Sequence, residues 1–184
     1  DWYISQKDPK LKLRIIYRSM ERSRTYKLAK WASRKIFLDH GIIIPVTKLL
    51  GWTDKMTPDE HDLFLMYEDY MGQIGEVMTI IDGPENPVGI AKELKTHALA
   101  NGKYEQLTEY SKKYIPNDPN LYTIIIIDHI GKAKSEVHNG KHLTKKETTD
   151  KLSEYMGLVR DNFGFIPVVI SQFNRAIGNI ERFK

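Results

Sequence analysis

The 184-residue sequence contains no cysteine. That absence excludes disulfides, thiol nucleophiles and Cys-ligated zinc or iron–sulfur centres. Long apolar runs are also missing: the longest, Ile42–Pro45 and Ile124–Ile127, fall far short of the roughly 20 residues that cross a bilayer. There is no internal repeat and no low-complexity tract, the stretch Asp1–Gln6 does not read as a signal peptide, and the first residue is Asp1 rather than Met. A chain beginning Asp1-Trp2-Tyr3-Ile4 is expected to be processed or to be a piece of a longer protein. A Gly-x-Ser-x-Gly nucleophile elbow is absent, which removes the Ser-His-Asp hydrolase reading. What remains is one domain's worth of chain, long enough to bury a core without a metal or a disulfide to hold it.

Charge is present and strongly segregated. Residues 1–35 carry eleven Lys/Arg against three Asp/Glu, whereas residues 54–94 carry two against ten. Residues 95–184 return to a basic excess, fourteen against ten, and the whole chain has a net charge of +4. A basic stretch on a loop is the signature of phosphate binding, and a solvated helix face is its ordinary alternative. An acidic segment facing the basic segment of another copy is one way to use the segregation, and a solvated acidic helix is the other.

Strands and helices alternate along the chain. Leu13–Met20 is β-branched and aromatic and predicts a strand. Apolar Leu28, Trp31, Ala32, Ile36 and Phe37 recur at three and four, predicting a helix over 24–39 that Gly41 closes. Thr57-Pro58-Asp59-Glu60 is a helix start, and that helix is expected to run to about Gly75. Strand Val77–Asp82, helix Pro87–Ala100, strand Tyr122–Asp128, helix Thr144–Asn162 and a last, buried strand Pro167–Gln172 follow. Residues 103–121 and 130–144 read as polar connections. Ile124–Ile127 is apolar on both faces, as in a parallel strand buried between helix layers. The pattern predicts an α/β domain with a mostly parallel sheet, whose function gathers beyond the carboxyl ends of the strands.

Three strand ends are polar there. Asp128, closing an apolar strand, suits a hard cation that keeps its waters; capping the next turn is the alternative. Glu21 can activate a water as general base or pair with Arg22 or Arg24. Gln172 and Arg175 offer an amide and a fixed cation to a phosphate group, or are simple loop polarity.

Taken in order, Ser19-Met20-Glu21-Arg22, then Ile127-Asp128-His129, then Ser171-Gln172-Phe173-Asn174-Arg175 resembles the RecA-like motor domain of DnaB-type replicative hexameric DNA helicases, phage versions especially. The resemblance runs from Leu13 to about Arg182 and implies a RecA-like three-layer α/β/α fold. It implies Glu21 as the catalytic carboxylate that polarises water, Asp128 as the Walker B residue acting on Mg²⁺ through water, and Gln172 as the γ-phosphate sensor, with Arg175 beside it. It implies ATP or another nucleoside triphosphate and Mg²⁺ as cofactors, single-stranded DNA as partner, and a hexameric ring in the cytoplasm of a bacterial or phage-infected cell. Loops 130–146 and 176–184 would grip the DNA. The first offers Lys132, Lys134, Lys141, Lys145 and Lys146 against the single acid Glu136.

The family's Gly-x-x-x-x-Gly-Lys-Thr/Ser phosphate loop is not in this sequence. Residues 1–184 are therefore expected to be one partial motor domain, with that loop before residue 1 and the arginine finger after residue 184. As it stands the chain should hydrolyse almost no nucleotide. The alternatives are an ATPase-inactive RecA-like module that binds DNA or a helicase, and an unrelated small α/β enzyme using Asp128 and His129. His138 and His142 have i,i+4 metal spacing, but Gly140 lies between them and no third ligand is near in sequence. His40, His61 and His97 are expected at the surface or in caps, and Met66, Tyr67, Tyr70 and Met71 in core or subunit packing.

Overall fold

The computed structural model describes residues 11–138 and 140–172. Lys12–Ser19 forms β1, followed by α1 (Arg24–His40), α2 (Val46–Leu49), α3 (Pro58–Leu65) and α4 (Glu68–Val77). Then come β2 (Met78–Asp82), α5 (Pro87–Ala100), a hairpin of β3 (Gly102–Gln106) and β4 (Lys112–Pro116), and β5 (Leu121–Asp128). A 3-10 turn (Ile130–Lys132), a short hairpin of β6 (Val137–His138) and β7 (Lys141–His142), α6 (Lys145–Phe163) and β8 (Ile166–Ile170) complete the described chain.

Four strands pair in the order β2-β1-β5-β8, all parallel. Parallel neighbours need crossovers, and the helices supply them. On one face, Ile16, Ile125 and Ile127 meet Ile90, Leu94 and Ala98 of α5 and Leu152, Met156 and Val159 of α6, all buried. On the other, Tyr17 of β1 meets the ring edge of Trp31 on α1. There Ile36, Ile44 and Tyr67 form a second core. The fold is thus a three-layer α/β/α arrangement around a mostly parallel sheet. No described helix is long and apolar enough to cross a membrane.

Local chemistry accounts for most boundaries. Ser23 accepts from the Tyr26 N–H to start α1, and Gly41 at φ 70° ends it by donating to the Phe37 carbonyl. Thr57 with Glu60, and Thr144 with Glu147, form reciprocal capping boxes on α3 and α6. Three expectations need correction. The helix expected from Thr57 to Gly75 is two helices, because the chain turns at Tyr67 to bury that ring and bring its hydroxyl to Asp39 Oδ2 at 2.9 Å. The 103–121 connection is a hairpin: Tyr114 packs edge-on to Phe163, and lies so close over Gly102 that a Cβ there would meet its ring at 2.4 Å. The 130–144 loop holds a 3-10 turn and a hairpin.

The α1-side layer lies over β1 and β2. The β5–β8 half of that face is bare among the described residues, so the last strand is not buried as expected and β5 is covered by helices on one face only, because no described helix crosses over this half. Tyr122, Ile166, Val168 and Ile170 are 51, 45, 43 and 39 % exposed there, on the same face by the strand alternation and the Ile124↔Ile166 register. β8 also ends the described sheet, with no charge along Ile166-Pro167-Val168-Val169-Ile170 to protect its free edge.

Candidate functional site

The carboxyl ends of β1, β5 and β8 lie side by side: Ser19 pairs with Asp128, and Asp128 with Ile170. Residues just beyond these ends therefore share one edge of the sheet, neighbouring strands being about 4.8 Å apart. The turn after β1 is stitched to its neighbours. The Met20 N–H donates to the Asp128 carbonyl at 2.7 Å, and the Gly83 N–H to the Ser19 carbonyl at 3.0 Å. The fully buried Ser19 hydroxyl donates to the Arg22 carbonyl at 2.6 Å, and the Arg24 N–H to Asp82 Oδ2 at 2.8 Å. This fixes Glu21 at the mouth of a depression of about 370 Å³ lined by Met20, Glu21, Arg22, Ser23, Asp82 and Pro84.

Glu21 does not pair with Arg22 or Arg24. Its Oε2 lies 3.5 Å from Nε2 of His129, whose side chain is 7 % exposed. Neither His129 ring nitrogen has a hydrogen-bond partner among the described residues. A buried imidazole with both nitrogens open, beside a carboxylate at a strand end, is a group poised to receive or give a hydrogen bond.

Asp128 is engaged from another direction. Its Oδ2 accepts from the Tyr17 hydroxyl at 2.5 Å and from Lys27 Nζ at 2.5 Å, and Lys27 also donates to the Tyr17 oxygen at 3.1 Å. Burial opposes the carboxylate's charge, but the hydrogen bonds from Lys27 and Tyr17 and the charges of Lys27 and His129 outweigh it, and the Asp128 carboxyl sits below the usual range. Burial likewise opposes the Lys27 charge, and its bonds to Asp128 and Tyr17 outweigh that, holding the ammonium above its usual value. Burial, then the bond to Asp128, pushes the Tyr17 phenol up.

The signs fix a pH dependence. A carboxyl with a lowered folded pKa contributes stability that is present above the unfolded value of about 3.9 and lost as pH falls through the folded one. A lysine with a raised folded pKa contributes stability that is present below about 10.4 and lost as pH climbs through its folded value. Asp128→Asn is expected to lower the urea midpoint at pH 7 and to flatten its decline on the acid side. Urea melts of both proteins between pH 2 and pH 7 check this; parallel acid limbs would refute the coupling.

The other predicted residues are placed as follows. Gln172 is exposed, two residues past Ile170 at the same edge. Arg175 and the 176–184 loop lie outside the described residues. Lys132, Lys134, Lys141, Lys145 and Lys146 are all exposed. Glu136, counted with them in sequence, is buried: it pairs with Lys151 of α6 and accepts the Val88 N–H at 3.2 Å. With Glu136 turned inward, the exposed charge of residues 130–146 is basic. Lys145 and Lys146 open α6, where the helix dipole already provides positive potential. His97 is neither a cap nor a surface group; it is half-buried and within 3.3 Å of Arg14 Nη1, at the opposite end of the sheet. Among the described residues no three His, Asp or Glu side chains come together as a metal site.

Tyr17 and Lys27 were not legible as site residues, since both lie more than a hundred positions from Asp128. The available signal was the pairing of alternation with a cap: Tyr17 shares the Ser19 face of β1, and Lys27 lies in the turn that Ser23 opens. No protein-family model, curated protein or solved structure matches this chain.

Proposed function

We propose that this chain is part of the motor domain of a nucleoside-triphosphate-driven DNA helicase of the RecA-like, DnaB-type class. One observation carries the reading: Asp128 ends a strand, and Glu21 and Ser171-Gln172 directly follow the ends of its two parallel neighbours, whose last residues Ser19 and Ile170 both pair with Asp128. In this reading Glu21 takes the proton of the attacking water at the mouth of the depression, and Gln172 faces the γ-phosphate. The basic residues 130–146 meet single-stranded DNA. No described residue covers the apolar face or the outer edge of β8, which supports a domain whose sheet continues with further polypeptide on that side. A ring of such domains, working in a bacterial or phage-infected cytoplasm, is part of the same proposal.

The coding sequence tests the motor reading most cheaply. A Gly-x-x-x-x-Gly-Lys-Ser/Thr motif encoded shortly before Asp1 supports it, and a start codon immediately ahead of Asp1 with no such motif sinks it. The DNA contact is tested on the chain itself. Replacing Lys141, Lys145 and Lys146 together with Ala is expected to weaken binding of a fluorescent oligothymidine. It should also reduce the slope of log K against log salt by about 2, at roughly 0.7 per lost single-strand contact. An unchanged slope would remove these lysines from the DNA path.

A second reading is favoured by the state of Asp128. Lys27 and Tyr17 both sit on Oδ2, so that oxygen, as it stands, is not open to the Mg²⁺-bound water that the resemblance implies. An ATPase-inactive RecA-like module that binds DNA would keep the sheet edge and the basic loop without needing that metal.

A further inference from the structure

Lysine is rarely buried unless paired, and the Lys27 side chain, 15 % exposed, has Asp128, 20 % exposed, as its partner. Helix position does not explain it. Lys27 lies near the start of α1, where the dipole disfavours a cation, and no acid in that first turn offsets it. Three contacts converge on its ammonium: Asp128 Oδ2, the Tyr17 hydroxyl, and the Tyr17 ring with its centroid 5.2 Å away. Tyr17 is itself held edge-on by Trp31, so the phenol that steers both groups has a fixed ring. A hard divalent cation needs the same carboxylate oxygens and brings its own waters. Lys27 fills the position next to Oδ2 with an ammonium that can neither ligate a metal nor tolerate a second cation beside it.

We propose that Lys27 is the resident counter-ion of Asp128 and excludes divalent metal from this strand end, so that a metal reaches Asp128 only when Lys27 has left. Tyr17 is the positioning residue that holds the ammonium on the carboxylate. The inference deepens the proposed function, resting on it only for the role of Asp128 at a phosphate-handling edge. It makes metal entry at Asp128 an exchange of cations rather than the filling of a vacant site.

Mn²⁺ alone is the probe, followed by the loss of its free-ion electron paramagnetic resonance signal. Wild type and Lys27→Arg are expected to take up Mn²⁺ no more than Asp128→Asn does. Lys27→Met is expected to bind at least about tenfold more tightly than wild type, and Lys27→Met with Asp128→Asn to lose that gain. Uptake by wild type that Asp128→Asn abolishes would overturn the proposal, because metal would then share Asp128 with Lys27. So would the absence of any gain in Lys27→Met. If Lys27→Met is unfolded by circular dichroism, the wild-type against Asp128→Asn comparison decides alone. None of these signals depends on nucleotide or DNA, so a chain that fails to bind oligothymidine can still pass this test, and the reverse.

Discussion

If the proposed motor function holds, Glu21→Gln in a polypeptide that joins a phosphate loop to residues 1–184 is expected to lower nucleoside triphosphate turnover by about 10²- to 10⁴-fold, the usual worth of a positioned general base. Nucleotide affinity should change little, because the amide keeps the shape and loses only the basicity. The geometry behind this is specific. Glu21 stands on a turn whose backbone is tied to both neighbouring strands through Met20 and Ser19. Its carboxylate faces the buried His129 rather than the nearby arginines. A surface glutamate of no catalytic consequence would be free to pair with Arg22, whose guanidinium instead lies 4.9 Å from the Tyr26 ring centroid. Phosphate release under saturating nucleotide separates the outcomes, and turnover within twofold of wild type would return Glu21 to the surface.

Leu152→Ala is expected to destabilise the described domain by about 3 kcal/mol and to lower its melting temperature by roughly 6–12 °C. Leu152 is fully buried, in the cluster where α6 meets Ile125 and Ile127 of the central strand. Removing its branched end leaves a cavity between helix and sheet that neither can close alone. Leu158, on the same helix but 46 % exposed, is the internal control: Leu158→Ala should stay within about 0.5 kcal/mol. Urea and thermal melts of the two variants read the burial pattern of α6 directly. Equal losses would mean that the helix packs by a different face.

Much of this architecture was readable from residue order. The isoleucines of β5 marked a parallel strand, and it is parallel to both neighbours, though only one of its faces lies under a helix layer along its whole length. Ser23, Thr57, Asn86 and Thr144 each cap a helix expected to begin there. These signals are local, carried by a few residues that satisfy their own backbone. The reading failed where a distant side chain decides the outcome. Tyr67 interrupts a helical pattern because its ring is buried and its hydroxyl reaches Asp39 on α1. The β3–β4 hairpin looks polar because it buries little besides Tyr114, whose packing depends on Gly102 and on Phe163 from α6.

The candidate site divides in the same way. Strand ends are local features, so Glu21 and Asp128 could be named from sequence. What each carboxylate faces is not local. The Lys27 contact spans 101 positions and the Tyr17 contact 111, and Glu21 faces a buried imidazole, His129, from another strand end. Glu136 is the instructive case. Counted in sequence it dilutes a basic loop; in the fold it leaves the loop and pairs with Lys151, so the exposed charge is more one-sided than the composition implies.

The most direct test of the proposed function is a crystal structure of the phosphate-loop-bearing polypeptide with a non-hydrolysable nucleoside triphosphate. The expected result is a terminal phosphate at the shared carboxyl edge, flanked by Glu21, Asp128 and Gln172, with Lys27 drawn off Asp128 if a metal accompanies the nucleotide. A nucleotide bound instead at the opposite end of the sheet, in the cavity of about 370 Å³ lined by His97, Tyr114, Phe163 and Phe165, would contradict it.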